Sequence, residues 1–299
     1  MSKQPQTEQS TSGVREPLVR FALWAGAIAL AIGTLILHKT IGPGDATRGS
    51  FEFGKVSQTY QLPRGWELSA GGARIELRLD GNPPEIEGAV LWRPHPTDDP
   101  YAATAFREIR RRVTTPGEGT RSWTELAARL PALPAGEFME YFVTLQSEGR
   151  EIRLPAGKET VILQYRGFVR PEILYAYLAG LGFMLVVGMR SGLSAIFEPA
   201  TTRRYAWGTF FLLTLAGMVL GSLVQYYALG ESWSGVSLGV DWENNRVLAA
   251  WGIWLAACLI LGRSTKPVTM LGRIAVLAAV IVTATLYPFP NNLLELIDL

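Results

Sequence analysis

The chain has 299 residues, 48% hydrophobic and 18% charged, with 28 Lys and Arg against 26 Asp and Glu and a net charge of +2. Soluble domains average about 25% charged residues, so this composition leans toward the membrane, and the absence of a basic excess argues against a nucleic-acid-binding domain. One Cys and two His exclude an intrachain disulfide framework and Cys-rich zinc or iron–sulfur sites, and leave little material for a haem or metal centre.

In chain order, residues 1–17 start rich in Gln, Ser and Thr and predict a disordered cytoplasmic tail. Leu18–His38 is apolar and predicts a first membrane helix. Its exit, TLILHKTIGPG, has no small residues at the spacing of a cleavage site, which favours an uncleaved anchor over a signal peptide. Residues 39–172 hold 18 of the basic and 18 of the acidic residues, so this stretch is neutral and polar. Apolar and polar residues alternate with period two over Arg74–Leu79, Glu85–Trp92, Phe138–Leu145 and Val161–Val169, with Gly- and Pro-rich punctuation at Gly71-Gly72, Gly81–Pro84, Pro131–Gly136 and Pro155–Gly157. Short strands with such turns predict an all-β sandwich, with Trp92, Phe142 and Val161 in its interior. Ser122 followed by Glu125 forms a capping box before Leu126 and Leu130 and predicts one helix over Ser122–Leu130. Ala102–Val113 fits a helix or a strand. If helical, it places Arg107 and Arg111 on one face and pairs Glu108 with Arg112. The two arginines are then either a solvated face or a contact for anionic lipid or an acidic partner.

Four further apolar runs follow, at about 173–189, 205–229, 247–262 and 268–289. A helix needs about 20 residues to span the hydrocarbon core. The shorter runs reach that length when flanking Arg and Trp side chains anchor at the interface. No Asp, Glu, Lys, Arg or His falls in the middle of these spans, which speaks against a transport or proton-relay path. Small residues recur instead, and Gly217-x-x-x-Gly221 permits close helix approach. Cys258 lies in the fourth span as a packing residue. Short loops and the tail carry nine basic residues on one side (Lys3, Arg15, Arg20, Arg190, Arg203, Arg204, Arg263, Lys266, Arg273) and only Arg246 on the other. The positive-inside rule then puts the N-terminus inside, and residues 39–172 and the C-terminus outside.

The densest group of chemically capable side chains is 226–259, where Trp233, Trp242, Trp251 and Trp254 gather around Asp241, Glu243, Asn244, Asn245 and Arg246. Interfacial Trp is the ordinary anchor at a membrane boundary, and Asp241 and Glu243 suit the N-terminus of the incoming helix. The same side chains are candidates for contact with a ligand or partner.

Three resemblances add expectations. Residues 130–145, LPALPAGEFMEYFVTL, resemble the ending of fibronectin- and immunoglobulin-like sandwiches, which implies that fold and no chemistry. Trp233, Asp241, Trp242, Glu243 and Trp251 resemble the tryptophan-rich loop of cytochrome c assembly proteins, which implies haem handling. The chain departs from that family in a longer gap between Trp233 and Asp241 and in having no His in its last four spans. The layout of one anchor, a sandwich and four further spans resembles bacterial inner-membrane proteins. The expected protein is therefore a multi-pass component of the bacterial cytoplasmic membrane, with five transmembrane helices and an extracytoplasmic β-sandwich. It needs no cofactor and serves as an accessory, scaffold or binding subunit for a membrane or envelope protein. Two alternatives stay open: haem or small-molecule handling or transport at the 226–259 loop, and a membrane enzyme using Asp241 and Glu243 as acid and base.

Overall fold

The computed structural model describes residues 12–41, 46–53, 56–80, 86–115, 119–147, 150–231, 242–263 and 267–286. The chain divides into a helical unit, drawn from Met1–Gly42, Arg170–Val224 and Trp233–Asn291, and a β-rich unit, drawn chiefly from Pro43–Val169 with Gln225–Ser232.

The helical unit contains α1 (Ser12–Ile41), α2 (Pro171–Phe197) and α3 (Pro199–Leu213). It also contains a π-helical stretch (Thr214–Leu220) leading into the start of α4 (Gly221–Leu229), whose residues from Gln225 on belong to the β-rich unit, then α5 (Trp242–Leu261) and α6 (Met270–Leu286). Among the described residues, three helical stretches are long and apolar enough to cross a membrane: Pro17–His38, Pro171–Phe197 and the continuous Pro199–Leu229. Arg246–Leu261 and Met270–Leu286 are shorter apolar helices. The outward surface is apolar: Phe21, Ile32, Phe183, Phe211, Leu259 and Ile281 are each more than half exposed. A bundle built for water would put charge at those positions. The interior instead uses small residues. A Cβ at Gly180 would come within 2.9 Å of that of Ala216, and one at Gly192 would meet the Val280 side chain at 3.1 Å. Ala27 and Ala31 of α1 pack on Leu185 and Met189 of α2. Helix termini are tied as well: His38 Nε2 donates to the Ala284 carbonyl at 2.8 Å, and buried Trp254 donates its indole N–H to Thr283 at 2.8 Å.

Two expected spans change extent. The helix expected over 173–189 runs on to Phe197, with Arg190 inside it rather than in a loop. The next starts at Pro199, not 205, because Glu198 alone separates the two and a Pro at the first helical position suits a helix start.

The β-rich unit has β1 (Ala46–Phe53), β2 (Val56–Pro63), β3 (Gly65–Glu67), β4 (Arg74–Asp80), β5 (Glu87–His95), β6 (Ala102–Ala105), β7 (Arg107–Thr115), β8 (Gly119–Arg129), β9 (Phe138–Ser147), β10 (Arg150–Leu154) and β11 (Val161–Arg166). They form a two-stranded ribbon β1-β2, a three-stranded sheet β4-β8-β7, and a six-stranded sheet β3-β11-β9-β5-β6 in which β10 also pairs with β9. Period-two alternation sends Ile75, Leu77 and Leu79 of β4, Leu126 and Ala128 of β8, Met139, Tyr141, Val143 and Leu145 of β9, and Val161, Leu163 and Tyr165 of β11 into one shared core. Two sheets facing each other across one apolar layer make a sandwich. Tyr141 and Tyr165 cross that layer and donate to the main-chain carbonyls of Pro63 (2.8 Å) and Pro131 (2.7 Å), so neither buried hydroxyl is orphaned.

Several local expectations are corrected here. Ser122–Leu130 lies in and just beyond strand β8, not in a helix, because Thr124, Leu126, Ala128 and Leu130 bury one face at period two between β4 and β7. Arg107 and Arg111 lie in strand β7, not in a helix. Val161 is interior, but Trp92 is only half-buried against the core, and Phe142 lies on the opposite side of β9 from Tyr141 and Val143.

Candidate functional site

Of the residues singled out in 226–259, Trp233 and Asp241 lie outside the described residues, and Trp242, Glu243 and Asn244 are placed only as the first turn of α5. Arg246 is half-buried in that helix. Trp251 is already engaged within the bundle: its indole N–H donates to Thr214 at 2.9 Å and its ring packs on Phe210 at 5.5 Å. Trp254, three residues on, is likewise engaged with Thr283. Gly217 is buried in the π-helical stretch, and a Cβ at Gly221 would touch the Tyr177 ring at 3.5 Å. Arg107 is exposed on β7. The described residues hold no group of three or more His, Cys, Asp or Glu that could bind a metal ion.

The helical unit contains a polar cluster that the sequence reading missed. Arg190 is 1% exposed, and its guanidinium donates to Glu198 at 2.7 Å and to the Ser194 hydroxyl. It also stacks 4.6 Å from the Tyr205 ring centroid and 5.8 Å from that of Trp24. Arg20 of α1 reaches Glu198 at 3.7 Å. Neighbouring arginines cap helix ends: Arg273 donates to the carbonyls of Ala195 and Ile196 at the end of α2, and Arg203 to that of Leu261 at the end of α5. Cations at helix C-termini are favoured by the dipole. This cluster joins α1, α2 and α3 through internal contacts.

In the β-rich unit, a second polar network lies on the outward face of the six-stranded sheet. Glu140 accepts from Thr160 at 2.7 Å and from Arg93 at 2.9 Å. Burial alone would raise its carboxyl, but these donors and the Tyr101 hydroxyl outweigh it and hold Glu140 below the usual carboxylate range. A ladder runs across the strands from this carboxylate. Arg93 sits 4.6 Å over Tyr101, Tyr101 meets Phe142 edge-on at 5.0 Å, and Arg153 sits 4.0 Å over Phe142. Glu140 and Arg93 pair with each other, and Arg153 donates to the Glu159 carbonyl at 3.2 Å, so the network serves the sheet.

The remaining feature is a groove of about 880 Å³, within the usual size range of ligand pockets. One wall is the β1-β2 ribbon with Arg48, Thr59, Tyr60 and Gln61, and the other is β4 and β8 with Arg74, Glu76, Arg78, Trp123 and Glu125. Sequence and register explain its lining. In β4, Ile75, Leu77 and Leu79 turn into the core, so Arg74, Glu76 and Arg78 face outward. In β8 the complementary parity turns Trp123 and Glu125 to the same side. Arg78 lies 4.5 Å over the Trp123 ring. Arg74 pairs with Glu76 and, at 3.3 Å, with Glu125. The Tyr60 ring lies across Gly49, its register partner in β1, where a Cβ would collide with the ring. Aromatic, cationic and carboxylate groups thus share one open depression, and of these the aromatic and Arg side chains are the types enriched at recognition surfaces. Period-two patterning located β4. The depression itself depends on which strands are neighbours, and nothing local in the sequence states that.

No protein-family model matches the chain, and no curated protein matches it.

Proposed function

We propose that this is a multi-pass protein of the bacterial cytoplasmic membrane that acts as an accessory or binding subunit, with its β-sandwich outside the cytoplasm and engaging an envelope or membrane protein. The observation that carries this reading is the Arg-, Trp- and Glu-lined groove in the β-rich unit, together with a helical unit whose outward surface is apolar. The nine-to-one count of basic residues supports N-terminus inside and C-terminus outside, with all five helices spanning. The shorter helices would be accommodated by local thinning and by flanking arginines reaching the interface. Trp251, one of the five positions behind the haem-handling alternative, is engaged with Thr214 and Phe210.

The test is purification of the full chain from native membranes in mild detergent, followed by mass spectrometry, against a Trp123→Ala/Arg78→Ala variant. A protein that accompanies the wild type and is lost from an equally well inserted variant supports the reading. An unchanged set of companions contradicts it.

A further inference from the structure

In the helical unit, several cations gather around one tryptophan. Arg203 and Arg204 of α3 stand four and three residues before Trp207, so both flank it on one side of the helix. Arg203 donates through Nε to the Leu261 carbonyl at 3.2 Å, which ties the end of α5 to α3. Two residues further along the chain, the Arg263 guanidinium lies 5.2 Å from the centre of the Trp207 ring, within cation–π reach. Trp207 also meets Phe210 edge-on at 6.0 Å, and Phe210 in turn packs on Trp251 of α5. Contacts within α3 and toward α5 thus fix where the ring stands.

Charge and exposure indicate what this surface takes. Among the described side chains of the helical unit the carboxylates are Glu172 and Glu198. Glu172 pairs with Arg170, and Glu198 with Arg190 and Arg20. Arg204 and Arg263 are both exposed, and neither meets a carboxylate among the described residues. Further along α3 the surface turns apolar at once. Phe211, one turn beyond Trp207, is more than half exposed, and Leu215, a turn further, is exposed as well. Leu259 of α5 is also more than half exposed. Two cations without carboxylates, then a half-buried tryptophan, then an apolar wall repeat the order of polarity in a lipid monolayer: headgroup, interface, acyl chain. A soluble phosphate would engage the arginines alone, and the apolar wall would have no counterpart in it.

We infer that this surface binds an anionic phospholipid, with the headgroup phosphate at Arg204 and Arg263 and an acyl chain along Phe211 and Leu215. Charge-assisted hydrogen bonds from the two guanidiniums hold the phosphate oxygens, and Trp207 sits at headgroup level, where an amphipathic ring is favoured. Arg203 is a positioning residue, since its bond to Leu261 sets the end of α5, and with it Arg263, beside α3. The inference is independent of the groove and rests on the membrane placement proposed above.

The experiment is native mass spectrometry of the full chain, purified in mild detergent, stripped of lipid and titrated with one of three probes: phosphatidylglycerol, phosphatidylethanolamine of the same acyl chains, or inorganic phosphate. Phosphatidylglycerol should bind saturably and more tightly than phosphatidylethanolamine. Arg204→Gln/Arg263→Gln should weaken phosphatidylglycerol on the order of tenfold or more, the loss expected for two cations at a lipid headgroup. Arg204→Gln alone, at an exposed side chain, should weaken it about fivefold with thermal unfolding unchanged, which keeps the test decisive if the double variant does not fold. Arg170→Gln, which removes a cation paired with Glu172, should bind as the wild type does. Equal affinity of the wild type for the two lipids would overturn the inference. So would an unaltered phosphatidylglycerol affinity in Arg204→Gln, or an equal loss in Arg170→Gln. Inorganic phosphate that binds as tightly as phosphatidylglycerol, and is lost from the same variants, would replace the lipid by a soluble phosphate compound. A wild type recovered from carbonate-washed membranes but without lipid preference overturns this inference and leaves the membrane placement standing. Recovery in the soluble fraction overturns both.

Discussion

At the scale of single residues, the tightest constraint is Arg190, a charge 1% exposed inside α2 and held by Glu198, Ser194 and the Tyr205 ring. Removing one partner of a buried pair leaves the other charge uncompensated, at about 3–5 kcal/mol. Glu198 is 22% exposed, so Glu198→Gln should destabilise the detergent-solubilised chain toward the lower end of that range. Equilibrium unfolding would measure it, and a loss under about 1 kcal/mol would mean the pair behaves like a surface contact. The β-rich unit has its own titrating groups. Glu140 is held below the usual carboxylate range by Thr160, Arg93 and Tyr101, against the opposing effect of burial. A depressed folded-state pKa means the unfolded chain takes up the proton first, so this stabilisation is complete above the ordinary Glu value of about 4.3. It is lost as pH falls through the folded value. At the alkaline end, burial pushes Tyr165 up to about 12. Its contribution is therefore complete below the ordinary Tyr value of about 10 and lost as pH rises through about 12. Near-ultraviolet dichroism against denaturant at several pH values should show both limbs. Glu140→Gln should flatten the acid one, and an unaltered acid limb would assign it to other carboxylates. Tyr165→Phe should cost about 1 kcal/mol at neutral pH through the lost bond to Pro131.

At the scale of elements, β8 is the informative case. Ala127 pairs with Glu76 of β4 on one side and Arg107 of β7 on the other. Ala127→Pro would remove a ladder bond in a central strand and should unfold the unit, whereas Ala103→Pro, in the edge strand β6, should be far milder. Limited proteolysis of the two full-length variants would separate them, and equal resistance would contradict the assigned register. Why β8 reads as a helix in the sequence is physical. Ser122 and Glu125 match a helix start, and Leu126 and Leu130 are four apart, but Leu126, Ala128 and Leu130 also sit at period two. Two faces of sheet decide between the patterns, and a single chain segment does not contain them. β4, β9 and β11 were legible because each alternates cleanly. Even there parity could slip: Phe138 and Phe142 invite one face of β9 inward, while Met139, Tyr141, Val143 and Leu145 occupy the core. In the sequence Arg190 reads as a loop residue, because a charge within a span is expensive. Its compensation comes from α1, α2 and α3 together, and only the assembled helices show it. The groove was invisible for the same reason, since it depends on which strands lie side by side.

At the scale of the whole molecule, two units with different surface chemistry share one chain: helices that expose large apolar side chains such as Phe21, Phe183, Phe211 and Ile281, and a β-rich unit that exposes charges such as Arg48, Glu87, Arg107 and Arg150. That contrast is what one expects of a protein working at a membrane boundary, where the bilayer selects apolar surface and water selects charge. The proposed orientation makes a simple prediction. With Cys258, the chain's one cysteine, replaced by Ser, a cysteine introduced at Gln61 should react with a membrane-impermeant maleimide in intact cells, while one at Thr265 should react only after lysis. The reverse pattern would invert the topology. The most direct test of the proposed function is photo-crosslinking in native membranes from a benzophenone side chain placed at Gln61, in the groove, with Glu151 on β10 as the control position. A discrete crosslinked partner from Gln61, absent from Glu151 and suppressed by Arg48→Glu, is the predicted result. No crosslink from Gln61, or the same product from both positions, would contradict a binding role for the groove.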